Sequence, residues 1–329
     1  MKYALAPLFC RPWTLNGISA RLIESHYENN YGGAMARLNA LTEEIESATA
    51  ADAATLQGAS AGAQIHRLKR DQATALNATL LHELYFASLG GDGRAVPEAM
   101  AKGITRDFGS VDRWRKEFTT LANTSANASA GGSGWVLLTY VPRDGQLINQ
   151  VTQDHDQGIA GGIPILALDM YEHAYHLEFG ANASAYVAAF MRNIEWNAVQ
   201  SRYENARQVA APPRLVQAQF ADVPAVSVEE VAEMLKSGAQ VQIIDTRPKH
   251  YTTKSQEMMK GAVWRDPERI DEWMGELSKT EPVITFCVYG FHIGCESAAI
   301  LRKAGFDARY MAGGHVGWKA SKGAVQLLE

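Results

Sequence analysis

The sequence has little cysteine, no excess of basic residues and no long apolar segment, and each absence excludes a class of protein. Its three cysteines, Cys10, Cys287 and Cys295, are too few for a disulfide framework in a chain of 329 residues. A formal net charge of -5 and a pI near 6.0 give no basic surface, so no nucleic-acid partner is expected. No segment is long enough to span a bilayer, and the apolar patch at residues 3–9 contains Pro7, which is untypical of a signal peptide. We therefore expect a cytoplasmic protein without a membrane partner.

The composition is that of a globular protein, with 47% hydrophobic and 20% charged residues. A chain of 329 residues is too long for one ordinary core, so two domains are expected. A proline pair, Pro212-Pro213, lies in a composition break that is typical of a semi-rigid linker. We predict a first domain at residues 1–206, a linker at 207–222 and a second domain at 223–329.

Helical periodicity dominates the first part of the chain. It covers residues 18–47, with an interruption at Gly32-Gly33, then residues 73–89, and then a segment that begins at Ser110, a plausible N-cap. His26 and His82 fall on the apolar faces of two of these helices. Both imidazoles are therefore expected to point inward.

The hydrophobic period then changes to that of strands. Residues 135–141 and 146–151 read as strands joined by a turn, and the apolar run 163–168 adds a third strand. A helix at residues 183–205 follows. Helices first and a small antiparallel sheet afterwards predict an α+β domain.

A candidate metal site begins at the end of the third strand. Asp169 follows that strand, and His173 lies four residues further on. First-row transition metals favour such N and O donors, and the inward-facing His26 and His82 could complete the set. Each histidine could equally be a buried imidazole bonded to a backbone carbonyl, and spacing leaves both interpretations open.

Several segments of the first domain resemble the iron/manganese superoxide dismutase family, in that family's order and over about residues 1–205. They are Ile18 to Tyr27, Leu81 to Phe86, Gly132-Ser-Gly-Trp135, Gln153-Asp154 and Asp169-Met-Tyr-Glu-His173-Ala-Tyr175. The resemblance implies a helical hairpin followed by an α/β domain with a three-stranded antiparallel sheet. It also implies superoxide as substrate and one Mn or Fe ion, with His26, His82, Asp169 and His173 as ligands and a solvent molecule as the fifth.

The resemblance extends to residues around the ligands. Gln153 matches the amide that hydrogen-bonds the bound solvent in manganese-type enzymes, and the position where iron-type enzymes place that glutamine is Ala78. Manganese is therefore slightly favoured over iron. Trp135 and Tyr175 belong to the matching segments, and Glu172 matches a residue that reaches a ligand histidine of a partner subunit. A homodimer is implied.

The residues expected to channel substrate and protons depart from the family pattern. Asn30, Tyr31 and Ala34 stand where the family has a histidine pair and a tyrosine, and Tyr171 replaces a tryptophan. Metal binding is thus more firmly implied than fast dismutation. The alternative is a redox or reactive-sulfur sensor, or a stress-resistance protein, that keeps the metal site with little dismutase activity. A metal hydrolase is disfavoured because no HExxH helix is present.

Strands alternate with helices in the second domain, which predicts an α/β fold with a parallel sheet. Residues 227–230 read as a capping box, and residues 241–245 and 282–286 as buried strands. Cys287 follows the second of these strands and precedes a glycine-containing loop and a helix. Backbone N–H groups and a helix N-terminus would favour its thiolate, but a small buried hydrophobe is the equal alternative.

Four segments of this domain resemble single-domain rhodaneses over residues 223–320. They are Ile244-Asp245-Thr-Arg247, Gly261-Ala, Cys287 to Gly290 and Gly313 to Trp318. The resemblance implies that Cys287 carries a persulfide between a sulfane-sulfur donor and a thiol acceptor, and that Asp245 and Arg247 are structural. His292 replaces the arginine of the active loop, which disfavours thiosulfate as the donor. Cys295 is expected to pack in the helix rather than to resolve a persulfide.

Overall fold

Two units make up the chain in the computed structural model, which describes residues 2–49, 59–126, 132–209 and 222–328. The units are Met1–Pro212 and Pro213–Glu329. Most of the predicted linker, residues 210–221, lies outside the described residues, so the predicted domain boundaries stay a prediction. Within the described ranges no helix is both long and apolar enough to cross a membrane.

The described part of the first unit contains eight α-helices. They are α1 (Ala20–Ser25), α2 (Gly32–Thr49), α3 (Ala59–Phe86), α4 (Glu98–Phe108), α5 (Val111–Ser125), α6 (His176–Phe179), α7 (Ala183–Met191) and α8 (Trp196–Gln208). Helices α2 and α3 form the expected hairpin, and their contact buries Leu38, Leu41 and Leu68. At the start of α5 the Ser110 hydroxyl accepts the Arg113 N–H, as an N-cap does.

The helix boundaries differ from the predicted ones at four places. The irregularity near Gly32-Gly33 lies earlier, in a π-helical turn at His26–Tyr31, and α2 begins directly at Gly32. Helix α3 begins at Ala59 rather than at residue 73, and α4 was not predicted. The predicted helix 183–205 is split into α7 and α8, because Ile194 leaves the helix to form a β-bridge with Leu89.

The sheet of the first unit is antiparallel and three-stranded, as predicted. Its strands are β1 (Trp135–Val141), β2 (Gln146–Thr152) and β3 (Ile163–Asp169), in the order β2-β1-β3. Trp135 at the start of β1 is in register with both Thr152 and Asp169, the last residues of its two neighbours. One row across the end of the sheet therefore brings these three side chains to the same face.

The second unit is an α/β fold with a parallel sheet, which confirms the predicted class. Its strands are β4 (Ala225–Ser227), β5 (Gln242–Asp245), β6 (Glu257–Met259), β7 (Val263–Trp264), β8 (Val283–Phe286), β9 (Ala308–Ala312) and β10 (Val325–Leu327). Five of them form a parallel sheet in the order β4-β9-β8-β5-β7, while β6 and β10 pair separately.

The helices of the second unit are α9 (Val228–Lys236), α10 (Lys249–Ser255), α11 (Ile270–Trp273), α12 (Ile293–Lys303) and α13 (Gly314–Ala320). The predicted capping box is present, since Ser227 accepts the Glu230 N–H and the Glu230 carboxylate accepts the Ser227 N–H. Helix α12 follows the loop after β8, so the chain passes from a buried strand through residues 287–292 into a helix N-terminus.

Candidate metal centre

Four separate parts of the first unit each supply one residue of a buried cluster. His26 begins the π-helical turn after α1, His82 lies in the last turns of α3, Asp169 ends β3, and His173 lies in the short 3-10 turn Glu172–Ala174. His26, His82 and Asp169 are buried, and His173 is partly exposed. The structure thus brings together all four residues for which a ligand role was predicted.

The cluster is compact and centred on one carboxylate oxygen. The Nε2 atoms of His26 and His173 each lie 3.1 Å from Asp169 Oδ2, and His82 Nε2 lies 3.6 Å from it. One ligand atom from each of the four residues lies within 4.8 Å of the other three. Such spacing allows one ion to contact all four donors.

His82 shows directly that the cluster suits a cation. Its Nδ1 lies 2.6 Å from the carbonyl oxygen of Ala78, which can only accept, so Nδ1 carries the proton. Nε2 then presents a lone pair toward the Asp169 carboxylate, and it has no hydrogen-bond partner among the described residues. A lone pair facing a buried carboxylate is unfavourable unless a positive charge lies between them. The residues therefore fit a metal ion.

Electrostatics keep the donors in the forms that a metal requires. Burial lowers the pKa of His82 to about 4, and it also lowers the pKa of His26. Burial acts to raise the pKa of Asp169, but the close contacts of its carboxylate with His173 and His26 outweigh burial and hold that pKa well below its usual range. The site thus offers neutral imidazoles at His26 and His82 beside an ionised carboxylate.

The loop after β2 carries a histidine near the cluster in addition to the predicted glutamine. Gln153 is exposed, and its backbone carbonyl accepts the Tyr171 hydroxyl at 3.4 Å. His155, two residues later, accepts the Trp135 indole N–H at 2.9 Å, and its ring lies 6.3 Å from that of His82. Sequence reasoning missed His155, although its position beside the Gln153-Asp154 motif could have suggested it.

Tyr31 lies beside the cluster, with its hydroxyl engaged elsewhere. Its ring stacks 6.3 Å from the His82 ring, and its hydroxyl donates to Glu83 at 2.8 Å and accepts the Ala6 N–H at 2.7 Å. Burial raises the pKa of Tyr31 to about 12. Burial and the neighbouring Glu83 carboxylate therefore keep the hydroxyl protonated.

The other residues predicted to surround the ligands divide into a packed set and a surface set. Tyr171 stacks on His173 at 5.5 Å and on His155 at 5.0 Å, and Tyr175 is buried against Tyr186. Asn30 is half-buried, and Glu172 is exposed beside His173. Aromatic rings thus enclose the cluster on the Trp135 side, while Glu172 faces outward.

The predicted thiol site of the second unit lies where β8 ends. Cys287 is 6% exposed, and its S–H donates to the Phe291 carbonyl at 2.9 Å. Gly290 has a φ of +73° and packs against the backbone of Gly313 and Gly314, which leaves no room for a side chain. The loop is thereby folded tightly over the thiol, and only a rearrangement would expose it fully.

A buried arginine–aspartate pair is linked to this loop through His315. Arg247 is fully buried and binds the Asp245 carboxylate through its Nε and Nη2 atoms, at 2.7–3.0 Å. Arg247 Nη1 also lies 3.0 Å from His315 Nδ1, and the backbone N–H of His315 donates to the Cys287 carbonyl. His292 is exposed with a φ of +36°. Cys295 is buried, and burial raises the pKa of its thiol to about 11.

Comparison with known proteins identifies both units. A family model described as "Iron/manganese superoxide dismutases, C-terminal domain" matches residues 96–202. The "Superoxide dismutase [Fe]" of Cupriavidus metallidurans is 52% identical over 63% of this chain and 98% of its own length. The "Superoxide dismutase [Mn] 2" of Haloferax volcanii is 34% identical over 63% of this chain and 98% of its own length. The chain belongs to the iron/manganese superoxide dismutase family.

The second unit carries a rhodanese-like domain, since the family model of that description matches residues 227–321. Both resemblances expected from the sequence are thus confirmed. A further relative, the "Superoxide dismutase [Fe]" of Aquifex aeolicus, is 31% identical over 60% of this chain and 89% of its own length. Because the named superoxide dismutases include iron and manganese proteins, family membership supports Fe or Mn without choosing between them.

Removal of metal should destabilise the first unit, because the His82 lone pair and the Asp169 carboxylate then face each other unscreened. We expect added Fe²⁺ or Mn²⁺ at 100 times its Kd to raise the free energy of unfolding of the chelated protein by about 2.7 kcal/mol. Thermal unfolding with and without metal measures this change. Mg²⁺ at the same concentration is the control, since it prefers oxygen ligands and should give little shift. Equal shifts with Mg²⁺ and Mn²⁺ would contradict a selective N₃O site.

Proposed function

We propose that the first unit dismutes superoxide to oxygen and hydrogen peroxide at one iron or manganese ion held by His26, His82, Asp169 and His173. The observation that carries this proposal is the His82 Nε2 lone pair, directed at a buried carboxylate in a cluster with two further imidazoles. Membership of the superoxide dismutase family supports the same activity.

A bound iron or manganese ion would supply the one-electron redox chemistry that dismutation needs. The donor set of the chain carries one negative charge. A bound ion would therefore keep a net positive charge, which attracts an anionic substrate. Burial of His26, His82 and Asp169 excludes bulk water and strengthens that attraction.

His155 is the residue for which we propose the role expected of Gln153. An indole N–H can only donate, so His155 Nδ1 accepts from Trp135, and in the neutral ring Nε2 carries the proton. A donor fixed in this way can hydrogen-bond a small oxygen species or solvent near the ligands. Since the preference for manganese rested on Gln153, this assignment removes that preference and leaves either metal.

A homodimer through the first unit is proposed because Glu172 is exposed next to His173. In such an assembly the carboxylate would be available to a ligand histidine of a second copy. The cytoplasmic location expected from cysteine usage stays a prediction.

A redox or reactive-sulfur sensor with little dismutase activity is the second candidate. One observation favours it: the Tyr31 hydroxyl is engaged by Glu83 and Ala6 rather than directed at the cluster. Proton delivery to the metal centre would then be slow. The protein would bind metal but dismute superoxide slowly. The rate of dismutation by metal-loaded protein separates the two candidates.

Replacement of His82 by alanine should abolish both metal binding and dismutation, because it removes the nitrogen whose lone pair faces Asp169. His66→Ala is the matched control, since His66 lies on the same helix and is exposed. We expect wild type and H66A to hold about one Fe or Mn per chain and to consume superoxide, and H82A to do neither. Metal-replete wild type without superoxide consumption would exclude the dismutase proposal in favour of the sensor.

His155→Ala and Gln153→Ala distinguish the two candidates for the residue beside the bound solvent. We expect H155A to keep its metal while kcat falls by about tenfold to a hundredfold, as removal of outer-shell partners commonly does. Q153A should differ little from wild type, because Gln153 is exposed. A larger loss of kcat in Q153A than in H155A would instead assign the role beside the bound solvent to Gln153.

We propose that the rhodanese-like domain transfers sulfane sulfur through Cys287. The Cys287 thiolate would attack the outer sulfur of a donor, the donor S–S bond would break, and the donor would leave as an anion. An acceptor thiolate would then take that sulfur and release the Cys287 thiolate. The exposed His292 in place of arginine supports a donor other than thiosulfate.

Cys287→Ala should therefore eliminate persulfide formation on the second unit, whereas Cys295→Ala should retain it because Cys295 is buried within α12. Incubation with an organic persulfide, followed by mass spectrometry, measures the mass of one added sulfur. Persulfide on C287A at the wild-type level would place the carrier elsewhere.

A further inference from the structure

Arg202 of α8 carries a partly buried positive charge that no carboxylate of the described residues neutralises. Its Nε donates to the Ile165 carbonyl at 2.8 Å, Nη1 to the Ala87 carbonyl at 3.2 Å, and Nη2 to the Ser88 hydroxyl at 3.2 Å, and all three acceptors are uncharged. Burial lowers the pKa of Arg202 to about 10. A buried cation without a counter-charge is costly, and an anion bound beside Arg202 would remove that cost.

The guanidinium of Arg202 keeps N–H groups for a ligand. It has five N–H donors, and its hydrogen bonds within the described residues use one on Nε, one on Nη1 and one on Nη2. One N–H on Nη1 and one on Nη2 are therefore left. Hydrogen bonds from a guanidinium to carboxylate or phosphate oxygens are about twice as strong as those between neutral groups.

Arg202 lines a cavity of about 510 Å³, together with residues 9–14 and the chain just after α3. We call it the Arg202 cavity. A second arginine, Arg11, lines it from the segment before the 3-10 turn Pro12–Thr14. Arg11 is exposed and forms no ion pair within the described part of the chain. Phe9 and Leu89 add apolar surface to the lining. Two guanidinium groups thus border one space.

The charge of the lining favours an anion. Glu195 is the single acidic residue among the described residues that line the Arg202 cavity, against two arginines. Its Oε1 accepts the Asn197 N–H at 3.1 Å, so this carboxylate caps α8. Cys10 also lines the cavity, and burial raises the pKa of its thiol, which keeps the thiol uncharged. The lining therefore has a net positive charge.

A second, smaller cavity of about 290 Å³ is also lined by Arg202, but it suits an anion less well. Glu83 lines that cavity too, and its carboxylate accepts the Tyr31 hydroxyl at 2.8 Å. Arg202 and Glu83 cancel each other in formal charge there, and an anion would face the carboxylate. The anion is therefore expected on the Arg11 side of Arg202.

We propose that the Arg202 cavity binds a small oxyanion, whose carboxylate or phosphate oxygens accept hydrogen bonds from Arg202 and Arg11. No residue of the metal cluster is among the described residues that line this cavity. The site is thus separate from the metal centre, and the proposal does not depend on dismutase activity.

The test is calorimetric titration of the full-length, metal-loaded protein with inorganic phosphate and with benzoate, at constant ionic strength. Benzamide is the uncharged match to benzoate. We expect at least one of the two anions to bind once per chain, and the tighter one identifies phosphate or carboxylate as the group recognised. Benzamide should not bind. Absence of binding by both anions, or binding of benzamide as tight as that of the anion, would overturn the proposal.

Arg11→Gln separates the Arg202 cavity from the metal centre, where anions can also bind. Arg11 is exposed, so R11Q should fold as wild type does, and loss of one charged donor should weaken anion binding about tenfold. Arg207→Gln is the matched control, since Arg207 is exposed on the same helix as Arg202 and lines neither cavity. Wild-type affinity in R11Q, or an equal loss in R11Q and R207Q, would contradict the proposed site.

Arg202→Lys keeps the positive charge and removes the planar set of N–H donors. We expect R202K to bind the anion at least tenfold more weakly than wild type, because lysine cannot reproduce the guanidinium geometry. Thermal unfolding of R202K is measured alongside, since Arg202 also bonds three neighbours. If R202K does not fold, R11Q decides the question. Unchanged anion binding by folded R202K would place the anion outside the Arg202 cavity.

Discussion

The first unit depends on one electrostatic relation, that of the buried Asp169 carboxylate to the three imidazoles around it. A buried carboxylate is costly unless it is paired, and at His82 the partner atom presents a lone pair instead of a proton. The three histidines come from separate parts of the chain, so the fold must be complete before they meet. We therefore expect cation binding and folding of this unit to be coupled.

The strand register of the small sheet fixes where the Asp169 carboxylate lies relative to the histidines. Trp135 stands opposite the last residue of each neighbouring strand, which places Asp169 and the loop after Thr152 at one edge. The fully buried indole then fixes His155 through a single hydrogen bond. A change at Trp135 would thus act on the metal cluster through position rather than through direct coordination.

Local patterns made the four clustered residues candidates but left their role open, and the resemblance to the superoxide dismutase family implied that they are ligands. His26 and His82 recur with the apolar residues of a helical face, and Asp169 and His173 belong to a specific motif at a strand end. The three strands of the first unit and strands β5 and β8 of the second were also predicted, since buried runs with turn residues between them have few alternative structures.

The features that sequence reasoning missed depend on contacts between residues that are far apart along the chain. His155 approaches the cluster because the loop after β2 folds back over Trp135, which no local period encodes. The Tyr31 hydroxyl bonds Ala6 and Glu83, 25 and 52 residues away. The break between α7 and α8 exists because Ile194 pairs with Leu89. Each outcome was decided by a tertiary partner that overrode local preference.

The two proposed activities also constrain each other chemically. Dismutation releases hydrogen peroxide, which oxidises accessible thiolates toward sulfenic and higher acids. All three cysteines of the chain are buried, and the Cys287 thiol donates its proton to a carbonyl rather than lying open as a thiolate. A closed loop over Cys287 would therefore shield the proposed sulfur carrier from peroxide. Opening of that loop only on encounter with a sulfur donor would reconcile a peroxide source and a reactive cysteine on one chain.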